Sequence, residues 1–117
     1  MLLPQSDDHG KKLENMVFLQ LYRQRTPMEL IFYYQGKGEC DFLIQRGIDV
    51  DQLIQVTWNM DNEETRKREI AGLVEASQVT GCKNLLIITA DSSETIKLEN
   101  GLEIQVLPVW KWLLGQR

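Results

Sequence analysis

Apolar residues recur along this chain with two different periods, and the switches between them mark out its elements. Over "KKLENMVFLQLYRQ", Leu13, Met16, Val17 and Leu21 fall at helical spacing while Phe18, Leu19 and Tyr22 widen the stripe, which predicts a mostly buried helix over residues 10–24. Pro27 ends it. The β-branched and aromatic run "MELIFYY" predicts a strand, and "QGKG" a hairpin turn. "ECDFLIQR" is a second strand, in which Cys40, Phe42 and Ile44 point one way and Asp41, Leu43 and Gln45 the other. "GIDVDQ" reads as a turn and "LIQVTWNM" as a third strand, with Gln55 and Thr57 on one face and Ile54, Val56 and Trp58 on the opposite one. Asp61 or Asn62 caps a second helix, whose period runs through Ile70, Leu73, Val74 and Ser77 to Gly81.

"NLLIIT" is a continuous apolar run of the kind found in parallel strands covered on both faces. "TIKLE" and "LEIQVLP" flank Asn100-Gly101, a two-residue hairpin signal. Pro108 then opens a short helix whose Trp110, Leu113 and Leu114 are expected to cover the sheet edge. These elements describe an α/β domain. Its six core elements are complete before Asp91, so the hairpin and last helix read as peripheral additions. Residues 1–9 read as a flexible lead-in in which Asp7 or Asp8 can cap the first helix, and residues 10–117 as a single domain, long enough to close one core.

Composition removes several function classes. With 43% hydrophobic and 26% charged residues and no apolar run near the roughly 18 residues of a membrane span, a membrane protein is not expected. "MLLPQSDDHG" lacks the parts of a signal peptide, so the expected location is the cytoplasm. Cys40 and Cys82 then read as reduced thiols. With His9 as the single histidine, they cannot make a closed zinc site of about four N or S ligands. A net charge of -4 argues against a surface that is basic all over for nucleic acid. The glycines of "GKGE" do not form a phosphate loop, because a Walker motif needs GxxxxGK followed by Ser or Thr, so this chain holds no ATP site of that type.

Asp41, Gln55 and Thr57 nevertheless place polar groups where a buried strand would take Val or Ile. The order helix, three strands, helix, strand, with Glu14 in the first helix, Asp41 in the second strand and a polar pair two apart in the third, resembles the PD-(D/E)xK nuclease superfamily. That is the restriction-endonuclease-like fold, which includes archaeal Holliday junction resolvases. More closely, "GKKLENMVFLQL", "GKGECDFLI", "LIQVTW", "EETRKREIAGL" and "VLPVWKWLL" resemble the domain of unknown function at the C-terminal end of many prokaryotic AAA-type P-loop ATPases. The resemblance spans Gly10 to Leu114.

The resemblance implies an α-β-β-β-α-β core with a mixed sheet flanked by helices. Glu14 matches the helix acid, Asp41 the strand aspartate, Gln55 the first residue of the (D/E)xK pair, and Thr57 stands in place of the lysine. Glu14, Asp41 and Gln55 would then be the ligands of a weakly held Mg²⁺, and no other cofactor is implied. Such nucleases use the metal to activate water and the lysine to position it, and losing a single transition-state donor costs on the order of 10² to 10³ in rate. Thr57 has no cation, so the expected function is a catalytically inactive nuclease-like module for binding or assembly. A weak Mg²⁺-dependent DNA endonuclease comes next, and a structural homodimer formed through a strand edge or the tryptophan helix third. The partners implied are an ATPase or another protein, DNA, or a second copy, and no membrane. The strands of Asp41 and Gln55 are expected to be antiparallel neighbours, with both side chains on the face that meets the N-terminal end of the Glu14 helix.

Plainer readings cover the same residues. Asp41 could be hydrogen-bonded to turn amides near Gly36 or Gly38, and Glu14 near a helix start gains about 0.3 to 1 kcal/mol from the dipole alone. Gln55 and Thr57 fit the polar side of a half-exposed strand. Arg66, Lys67 and Arg68 fit a solvated helix face paired with Glu63, Glu64 and Glu69, with phosphate contact as the alternative. Trp110 and Trp112 read as packing groups more readily than as a base-stacking platform.

Overall fold

Chain order and sheet order agree for four strands and then diverge. The computed structural model describes residues 5–115, with α1 Gln5–Gln24, β1 Glu29–Gln35, β2 Glu39–Arg46, β3 Asp49–Val56, α2 Glu63–Thr80, β4 Leu85–Thr89, β5 Glu94–Lys97, β6 Glu103–Pro108 and α3 Val109–Leu114. One six-stranded mixed sheet runs in the order β1-β2-β3-β4-β6-β5. β1, β2 and β3 are antiparallel, β4 lies parallel to β3 and to β6, and β5 closes the far edge antiparallel to β6.

The hairpin around Asn100-Gly101 is therefore not peripheral. Gly101 takes the positive φ of +89° that its turn needs, and the returning strand β6 inserts beside β4, where Ile104 and Val106 are fully buried. Sequence patterns identify a hairpin but not where it docks, and pairing of β6 with β4 buries more apolar surface than an outer position would.

Two apolar layers sandwich the sheet. Leu13 and Val17 of α1 and Trp112 of α3 pack on Phe42, Ile44, Ile54, Val56, Leu86 and Ile88. Leu73 and Ala76 of α2 pack on Leu43, Leu53, Leu85, Ile87, Ile104 and Val106. β4, caught between the layers, is buried at every position, as its unbroken apolar run predicts. Asn62 caps α2 by accepting from the Thr65 amide at 3.0 Å, and Gly81 ends it in the left-handed region.

Several local expectations change. α1 is already helical at Gln5, so the described part of residues 1–9 belongs to the helix and Asp8 lies inside it rather than at its cap; the Asp7 side chain lies outside the described residues. The expected turn "GIDVDQ" shrinks to Gly47 and Ile48, and β3 begins at Asp49 with exposed and half-buried residues alternating before its buried run. In α3 Trp112, not Trp110, enters the core, at 4% against 58% exposure, and Leu114 is exposed. Both cysteines are free and buried, and no described helix is long and apolar enough to cross a membrane.

Candidate functional site

β2 and β3 part at one end, and side chains bridge the gap. Their pairing stops at Phe42 and Ile54. Beyond that rung the Asp41 amide donates to Gln55 Oε1 at 2.9 Å, while Asp41 Oδ2 accepts from the Val56 amide at 2.8 Å. On its other side β2 carries a bulge. Phe32 pairs with Leu43 and Tyr34 with Cys40, so two steps along β1 match three along β2. The extra residue turns Cys40 into the α2 layer beside Leu43, against the alternation expected from sequence, and leaves Asp41 at the open end of the sheet.

Gln55 is committed elsewhere. At 3% exposure it lies on the α2 side, where its Nε2 donates to the carbonyls of Glu39 at 2.7 Å and Glu69 at 3.1 Å. With Oε1 taken by the Asp41 amide, the whole amide group ties β2, β3 and α2 together. α1 covers the opposite layer, so Gln55 does not share a face with the Glu14 helix, which corrects the expected arrangement and the expected ligand role. The packing that allows this is close: a Cβ on Gly72 would collide with the Glu39 carbonyl, so α2 can approach β2 at that point only through a glycine.

The open end forms a cleft of about 510 Å³ between the first half of α1 and the start of α2. Glu14 from α1, Glu39 and Asp41 from β2, Thr57 after β3, and Arg68 and Glu69 from α2 line it. The cleft thus gathers Glu14, Asp41 and Thr57 and omits Gln55. Thr57 uses its hydroxyl to donate to the Asn59 carbonyl at 3.3 Å. At the rim His9 stacks on Trp58, ring centroids 4.7 Å apart. Of the basic run, Arg68 reaches the cleft, Lys67 is exposed on the helix, and Arg66 turns away into a two-point ion pair with Glu94 at 2.8 and 3.0 Å. Arg66 is thereby removed from the expected phosphate-contact set.

Glu69 is the residue that sequence reasoning missed. Its side chain is 13% exposed, and Oε1 is buried without a hydrogen-bond partner. Its nearest described cation is Arg68, 3.8 Å away and itself mostly exposed. Burial pushes the Glu69 carboxyl up to about 7, with the Asp41 charge adding to the effect. Burial likewise raises Asp41 to about 6, against the pull of the Val56 amide and with Glu14 and Glu39 contributing in the same sense. Glu14 is raised too, again chiefly by burial. At pH 7 Glu69 is therefore about half protonated while Asp41 is mostly ionised. A groove of similar size at the other end of α1 differs, for its Glu29 is paired with Arg46 at 3.2 Å and accepts from the Thr26 amide.

Carboxylates of this kind are the right chemistry for Mg²⁺, but their arrangement does not fit one. An octahedral ion at about 2.0 to 2.1 Å needs its ligands drawn tightly together. Among the described residues no three Asp, Glu, His or Cys groups come close enough to hold a metal ion, and Gln55 offers nothing to the cleft. Asp41 does not bond the turn amides either. Those of Lys37 and Gly38 donate to Glu75, at 3.0 and 2.8 Å, together with the Tyr34 hydroxyl at 2.6 Å.

No protein-family model matches the chain, and no solved structure matches it. It is similar to Uncharacterized protein MJ1544 of Methanocaldococcus jannaschii, with 36% identity over 116 residues that cover 93% of this chain and 26% of that protein. The chain thus spans about a quarter of the length of the relative it matches.

Proposed function

We propose that this chain is a nuclease-like module whose catalytic cleft is silent and which serves in binding or assembly. The order α1-β1-β2-β3-α2-β4, with three antiparallel strands followed by a parallel one, supports a restriction-endonuclease-like core. The observation that carries the silent reading is the engagement of Gln55. The group standing where the superfamily has a metal carboxylate has its amide nitrogen donating to two backbone carbonyls and its oxygen accepting from a backbone amide, and Thr57 beside it brings no cation. Alignment with part of a much longer archaeal protein supports a module that works within or beside a larger machine, in keeping with the resemblance to domains carried by AAA-type ATPases. A protein partner suits the cleft better than DNA, because Glu14, Glu39 and Asp41 outnumber Lys11 and Arg68 among the charges that line it.

Incubation of linear and branched DNA with the protein and Mg²⁺ or Mn²⁺ tests this. The expected result is no cleavage above that of the Asp41→Ala variant. Metal-dependent cutting by the wild type that is lost in Asp41→Ala would make the chain an endonuclease and overturn the proposal.

A further inference from the structure

Asn15, Asn59, Asn62, Asn84 and Asn100 are the asparagines of the chain, and only the last is followed by glycine. Elsewhere the next residue carries a side chain beside its own amide nitrogen, and Asn59, Asn62 and Asn84 are also held by the fold. Asn59 accepts from the Asp61 amide at 3.0 Å, Asn62 caps α2, and Asn84 donates to the Asp51 carbonyl at 3.2 Å. Asn100 and Gly101 are exposed at the tip of the β5–β6 hairpin, and nothing lies within 4 Å of the place that a Cβ on Gly101 would take. The Leu98 amide donates to the Leu102 carbonyl at 2.9 Å and the Gly101 amide to the Leu98 carbonyl at 3.1 Å, which closes the loop. Within it the Leu102 amide donates to Asn100 Oδ1 at 3.0 Å.

We propose that Asn100 is a site of self-modification, converted in the folded protein to aspartate and isoaspartate through a cyclic imide formed with Gly101. The Gly101 nitrogen gives its proton to hydroxide and bonds to Asn100 Cγ; the Cγ–Nδ2 bond breaks, Nδ2 leaves as ammonia, and a five-membered ring remains. Water then opens the ring at either carbonyl. Attack at Cγ leaves an aspartate in the ordinary backbone, and attack at the main-chain carbonyl leaves isoaspartate, with one more carbon in the backbone. In both cases an amide and a water have become an acid and ammonia. Two features of the turn favour the ring. Glycine brings no side chain between its nitrogen and Cγ, and the Leu102 amide already points at the oxygen on which negative charge grows as Cγ becomes tetrahedral. The Gly101–Leu98 hydrogen bond must open first, and at an exposed loop tip water replaces it at small net cost. The new carboxylate falls between Glu99 and Glu103, and the added carbon lengthens the loop that the Leu98–Leu102 bond closes.

Incubation of the full chain at about 37 °C and pH 8, followed by peptide mapping with mass spectrometry and an isoaspartate-specific methyltransferase assay, tests the assignment. The expected result is a gain of about 1 Da confined to the peptide that holds Asn100, both products present, and faster exchange of the Leu98 amide in the product. Asn100→Gln lengthens the side chain past a five-membered ring and should remove the gain. Urea held below the unfolding transition raises the unfolded fraction without displacing the native one, and should leave the rate unchanged. Asn100 intact after several weeks, aspartate formed without isoaspartate, or a rate that climbs in step with the unfolded fraction would overturn the inference.

Discussion

Glu69 and Glu75 lie six residues apart on α2 and end in opposite states. Glu75 accepts three hydrogen bonds, from the Tyr34 hydroxyl and the Lys37 and Gly38 amides, and the first of these leads in holding its carboxyl below the usual range. Glu69 has an oxygen sealed from water and without a partner, and burial lifts its carboxyl to about 7. Gly72 lies midway between them, where the helix touches β2. The difference is one of available donors: the β1–β2 turn offers free amides, whereas at Glu69 the neighbouring polar groups are already used by Gln55 and Asp41. One glutamate therefore ties the helix to the β1–β2 turn, and the other holds its proton to higher pH than an ordinary carboxyl at the base of a cleft.

The largest effect expected from disturbing this helix comes at Gly72. Gly72→Ala gains helix propensity but drives a methyl group into the Glu39 carbonyl, and should lower stability by about 3 kcal/mol in urea unfolding. An unchanged midpoint would mean that α2 is free to shift. Next comes Gln55→Glu, which removes the donors to the Glu39 and Glu69 carbonyls and buries a charge against them. A loss of about 2 to 3 kcal/mol is expected, so restoring the nuclease carboxylate should weaken the protein before it helps any chemistry.

The two glutamates themselves give smaller and opposite responses. Glu75→Ala should lower the melting temperature by several degrees at pH 7, where its carboxylate is fully ionised. Its contribution is present above the ordinary carboxylate range and fades as pH falls through the lowered value. For Glu69 and Asp41 the sign reverses. Their raised values make the folded state the better proton binder, so the stability they lend is complete below about pH 4 and is lost as pH climbs through about 6 and about 7. Glu69→Gln should accordingly stabilise the protein at pH 8, on the order of 1 to 2 kcal/mol, and flatten its stability between pH 4 and 7. A Glu69→Gln variant less stable than wild type at pH 8 would show that the carboxylate has a partner.

Much of the fold is legible along the chain because it depends on local signals. The limits of β2, the Asn62 and Gly81 caps, the buried run of β4 and the Asn100-Gly101 turn all follow from residues within a few positions of each other. The start of β3 is hidden because Asp49 and Asp51 imitate a turn while pointing to solvent. Insertion of β6 between β4 and β5 depends on long-range pairing that no local pattern encodes. In the cleft, Glu14 and Asp41 are found by motif, but the bulge that lifts Asp41 and the bonds that occupy Gln55 are not. Glu69 left a usable sign: it begins the row Glu69, Gly72, Leu73, Ala76 at helical spacing, a carboxylate on the buried stripe, obscured when the stripe is started at Ile70.

Whether burial or a metal ion governs the cleft carboxyls is read most directly from a carboxyl ¹³C titration of Asp41 and Glu69 with and without about 10 mM Mg²⁺. The expected result is ionisation near 6 for Asp41 and near 7 for Glu69, unchanged by the ion. A fall of both into the ordinary carboxylate range when Mg²⁺ is added would contradict it and identify the cleft as a metal site.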